Sequence, residues 1–160
     1  MPIRANQSAG IAAKQAKSPE VVDLFQKLAA RAEAFASMQE EFIAGIIRHR
    51  ETRTGKPFRY TKNQQKSLDN FDADAAKSED DMKRLTAQMD DKALLTSVLS
   101  GEQMDLQMDE TMAPSYPPED REMAHRMIDF RRETIRIIEE FIENSPFRGQ
   151  IVSIWRPKKK

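Results

Sequence analysis

Cysteine is absent from this chain of 160 residues. Disulfide staples, thiolate zinc sites and cysteine nucleophiles are therefore excluded. Only two histidines are present, so most general-base and nucleophilic schemes lose their usual residue. Aromatics are scarce, with one Trp and two Tyr against nine Met, which implies a thin, adaptable core. Long apolar runs are missing too. They extend over a few residues at most, far short of the roughly 20 that span a bilayer, so no membrane partner is expected. Met1 to Gly10 lacks the apolar segment of a secretory leader, and Asn6-Gln7-Ser8 is accordingly read as a chance glycosylation sequon. These absences predict a cytoplasmic protein, or one carried within a virion. Net charge is zero, from 26 basic and 26 acidic residues, so global electrostatics favour no partner class.

What is present favours helix. With five Gly, 32% charged and 39% hydrophobic residues, the composition suits an elongated helical protein of single-domain length. Residues 1–17 are polar and Ala-rich, with Ile3 and Ile11 as their large apolar side chains. They are expected to form an extended, flexible or partner-docked arm. Ser18-Pro19-Glu20 then opens a helix over about 19–53, with Ser18 as N-cap and Pro19 in the first turn. Val21, Phe25, Leu28, Ala32, Phe35, Gln39, Phe42 and Ile46 recur in steps of four and three, a coiled-coil stripe. A second row, Val22, Ala29, Ala36, Ile43 and Ile47, lies beside it. Two rows can contact two other helices.

Gly55 and Pro57 end that helix, and Thr61 with Gln64 has capping-box spacing. A second helix, about 62–90, carries Leu68, Phe71, Ala75, Met82, Leu85 and Met89. A short helix, about 92–99, is expected to stop at Gly101, and Glu102 to Pro118 is expected to loop across one end. The third long helix, about 118–144, has two rows. One runs through Met123, Met127, Phe130 and Ile137, the other through Ala124, Ile128, Arg131, Ile135 and Ile138. Short connections favour antiparallel neighbours. The expected fold is all-α: an elongated antiparallel helical hairpin or three-helix bundle with coiled-coil-like heptads. Residues 146–160 form an extended tail, with a short strand over 150–155.

Catalytic patterns are thin. Glu122-x-x-His125 resembles half of a carboxylate-bridged di-iron pair, but the second Glu-x-x-His is missing. Gly55-Lys56 lacks the remaining residues of a phosphate-binding loop. No cofactor and no metal is expected, and the chain is read as non-enzymatic. The strongest local signal is the basic turn of Arg48, Arg50, Arg53, Lys56, Arg59, Lys62 and Lys66 around Phe58 and Tyr60, with Glu51 as its single acid. Such a turn can hold phosphates and stack bases, or dock on an acidic protein surface. A lone strand needs an edge to pair with, so Ile151, Ile154 and Trp155 are candidate partner-binding residues. Together these features describe a helical interaction protein, a subunit of a larger, homo-oligomeric or phage-type assembly. The alternative is a nucleic-acid-binding accessory protein that works through residues 48–66.

Overall fold

The paired apolar rows that begin at Val21 become the longest element of the molecule. The computed structural model describes residues 3–151, with the side chains of residues 3–8, 71, 72, 75 and 76 outside that description. The chain is all-α. Five helices, α1 (Ile3–Gln15), α2 (Pro19–Thr54), α3 (Lys62–Thr86), α4 (Asp91–Met112) and α5 (Pro118–Glu143), are joined by turns, with a short 3-10 turn at Ala113–Ser115. No strand occurs among the described residues. Among the described residues, no helix is long and apolar enough to cross a membrane.

The 36 residues of α2 make a rod roughly 50 Å long. Gly55 ends it with a left-handed backbone (φ 65°) that a side chain would strain. At the other end Ser18 occupies the N-cap position without capping through its side chain. Instead the amides of Lys17 and Ser18 each donate to the carboxylate of Asp91, both at 2.8 Å. The first residue of α4 thus clasps the corner between α1 and α2. Thr61 and Gln64 do form the reciprocal capping box, and Asp90 caps α4 through the Ala93 amide.

α5 runs antiparallel to α2. Their contacts pass in order from Arg31–Thr134 through Phe35–Phe130 to His49–Asp120, and Phe42 meets Tyr116 just ahead of α5. α4 also lies against α5, antiparallel, from Gln103–Glu139 to Glu110–Arg132. The main core gathers Val21, Leu24, Phe25 and Leu28 of α2, Leu94, Leu95 and Leu99 of α4, and Ile135, Ile138 and Ile142 of α5. A smaller cluster of Phe35, Phe42, Ala124 and Met127 continues the α2–α5 seam toward the far end. The two rows of α5 give it a face wide enough to contact both α2 and α4.

Three expectations need correction. Residues 1–17 are not an extended arm, since Ile3–Gln15 is helical and packs on α2. Ala9, Ile11 and Ala12 are buried there; small side chains let two helix backbones approach closely, so little apolar bulk is needed. Gly101 does not stop a helix, and residues 102–112 are not a loop. The Glu, Gln, Met and Leu after Gly101 are strong helix formers, enough to carry α4 through a tolerated glycine. Among the described residues, the main helix contact of α3 is with α1 rather than lengthwise along α2. Its single stripe, interrupted by Ser78, buries no described side chain; Phe71 and Ala75 of that stripe lie outside the described side chains. Of the expected strand over 150–155, Gln150 closes a turn by donating its amide to Phe147 O at 2.9 Å, and residues 152–155 lie outside the described residues.

Candidate interaction sites

The basic turn sits where α2 ends and α3 begins, and the structure brings its aromatic residues together. Gly55 stops the helix and Pro57 prevents its resumption. The chain then folds Phe58 against Tyr60 edge to face, with ring centroids 5.0 Å apart. The Arg50 guanidinium lies 5.4 Å from the centre of the Phe58 ring, within cation–π range. Arg53 is withdrawn from the patch by an ion pair with Glu119 of α5. Arg48, Lys56, Arg59, Lys62 and Lys66 are exposed, with no ion pair among the described residues. Tyr60 remains 48% exposed. Arg53 in the last turn of α2 complements that helix's dipole, whereas Lys62 sits on the positive N-terminus of α3, so charge of one sign concentrates here.

Just below the tip, His49 Nδ1 lies 2.6 Å from Asp120 Oδ1. Asp120 is 2% exposed, and its other oxygen has no hydrogen-bond partner among the described residues. The His49–Asp120 and Arg53–Glu119 pairs pin the end of α2 to the first turn of α5. Sequence spacing gave no signal for either pair.

Arg131 is the second feature that spacing alone underplayed. It is 6% exposed, with Nε 2.8 Å from Asp109, Nη1 3.0 Å from Glu102 and 3.6 Å from Asp105. Its guanidinium also lies 4.4 Å from the Phe35 ring centre. Burial pushes the Glu102 carboxyl above its ordinary range, Arg131 opposes that rise, and Asp105 and Asp109 add to it. Asp105 is raised for the same reasons, burial first. Burial works against the charge on Arg131, but the surrounding carboxylates outweigh it and hold the guanidinium charged. The detectable signal was Arg131 within an apolar row, facing acids at steps of three and four on α4. The arrangement locks α4 to α5.

Between α1, α3 and α4 lies a groove of about 570 Å³, with Ala9, Ala12, Met82, Leu85, Met89 and Val98 on its walls and Glu79, Asp81, Glu102 and Asp105 among its polar lining. Its α4 edge continues beyond α3. Ser97, Gly101, Met104, Met108 and Met112 follow one another in steps of four, three, four and four, so they share one helix face. Met104 and Met108 are 61% and 60% exposed, and Leu85 across the groove is 66% exposed.

Of the candidate tail residues, Ile151 packs against the main core, while Ile154 and Trp155 lie outside the described residues. His125 is exposed and Glu122 pairs with Arg126 at 3.0 Å. Among the described residues, no group of three His, Asp or Glu side chains converges as a metal site would require. No family model, curated protein or solved structure matches this chain.

Proposed function

We propose that the protein is a non-enzymatic interaction protein, a helical subunit of a larger assembly. It seats a basic amphipathic helix of a protein partner along α4. The observation that carries this reading is the exposed row Ser97, Gly101, Met104, Met108 and Met112. Over its length of roughly 20 Å it offers about four helical turns of contact. Two small residues leave room at one end, and flexible thioethers supply an adaptable apolar surface at the other. Asp105 flanks the row, 53% exposed despite its contact with Arg131. That charge selects a cationic partner, and the mode is a helix lying in a groove.

The test uses two fluorescent peptides of identical Leu/Lys composition, one amphipathic as a helix and one scrambled. The amphipathic peptide should bind at least about tenfold tighter, and Met104→Glu with Met108→Glu should abolish the difference. Those side chains are exposed, so circular dichroism of the variant should match the parent. Equal binding of both peptides, or binding unchanged in the variant, overturns the proposal. Sedimentation that places a second copy on this row would replace the partner with self-association.

A further inference from the structure

We infer that the α2–α3 tip is a binding site for single-stranded nucleic acid. It is independent of the α4 row and lies on different elements. Three observations meet there. The first is charge: once Arg53 is paired with Glu119, Arg48, Lys56, Arg59, Lys62 and Lys66 still project without ion pairs among the described residues. The second is an aromatic platform. Phe58 is held by the Arg50 guanidinium and by the edge-to-face contact with Tyr60, and the half-exposed Tyr60 offers stacking surface to a base. The third is rigidity. The left-handed stop at Gly55 and the Thr61–Gln64 capping box fix both ends of the turn, so little ordering entropy is lost on binding.

The aromatic pair decides the class of ligand. A duplex or an acidic protein would meet the cations, but neither has a reason to find Tyr60 exposed beside them. An unpaired strand uses both, with phosphates on the basic side chains and a base on the ring. Stacking on a ring and contact with phosphates do not discriminate among bases, so the site is sequence-tolerant.

The test is fluorescence anisotropy of the full chain with a labelled oligothymidylate of about 15 nucleotides. If four or five phosphates are neutralised, affinity should fall on the order of 100-fold between about 50 and about 200 mM salt. Tyr60→Ala should weaken binding about tenfold, while Tyr60→Phe keeps it. Arg59→Ala with Lys62→Ala should weaken binding further and flatten the salt dependence. An abasic oligonucleotide of the same length should bind wild type no better than the Tyr60→Ala variant binds the intact oligonucleotide. Tyr60 is exposed, so unchanged thermal unfolding of Tyr60→Ala separates lost stacking from lost fold. No binding at low salt overturns the inference. So does equal affinity for intact and abasic strands, or displacement of the strand by polyglutamate as readily as by unlabelled oligothymidylate.

Discussion

α3 and α5 are nearly the same length, 25 and 26 residues, and both are amphipathic, yet they end in opposite circumstances. α5 buries nine residues between α2 and α4, while α3 buries none among its described side chains. The difference lies in the second row. α5 carries two adjacent apolar rows rich in Ile, so it is held from two sides. α3 carries one row, broken by Ser78 and bordered by acids, and it rests on α1 with Leu85 in solvent. A single coiled-coil stripe specifies a helix; two stripes specify where the helix goes.

Ile138→Ala is the harshest way to probe that contrast. The side chain is fully buried, and its truncation should cost about 3 kcal/mol in urea unfolding. The matched change on α3, Leu85→Ala, should stay within about 0.5 kcal/mol because the residue is exposed. A comparable loss at both sites would mean that α3 is as tightly held as α5.

The polar part of the α4–α5 contact predicts a pH dependence of smaller size. Folded Glu102 and Asp105 retain protons at pH values where the unfolded chain has released them, because burial raises both. Their contribution is complete below the ordinary values of 4.5 and 3.8 and is lost as pH rises through the raised folded values. Exposed Glu20, Glu119 and Glu133 are shifted downward, so their contribution is lost only as pH falls below the ordinary range. Thermal unfolding above pH 4.5 should therefore show stability declining with pH, and Glu102→Gln should flatten that slope. An unchanged slope would remove Glu102 as its source.

Gly101→Ala is the gentlest test. A methyl group there would meet no atom within 4 Å, and helix propensity should stabilise the protein by about 0.5 to 1 kcal/mol. Destabilisation would show that the α4 row tolerates no added bulk.

Much of this architecture is legible in the sequence wherever local chemistry is strong. Pro19 and Gly55 bracket α2, Thr61 and Gln64 start α3, and Pro118 starts α5, because caps and stops act within a few residues. α1 was hidden because its buried surface, apart from Ile11, is alanine among the described side chains, which carries little apolar weight when counted but packs closely. The extension of α4 was hidden because Gly101 resembles a stop; the helix formers after it carry the helix on, and the contacts of Glu102, Asp105 and Asp109 with Arg131 hold that extension on α5. At the tip, the basic and aromatic residues could be named in advance. Which of the cations are already spent could not: Arg53 finds Glu119 across 66 residues of chain.

The Asp91 clasp has a topological consequence. By tying the start of α4 to the corner at Lys17 and Ser18, it closes the intervening chain into a loop that leaves the base along α2 and returns through α3. The main core joins α1 and α2 directly to α4 and α5, with α3 contributing little to that union. The molecule is therefore two noncovalently mated segments connected by a strap. A break within the strap would leave two fragments that still recognise each other, and the same core would bring them back together in trans.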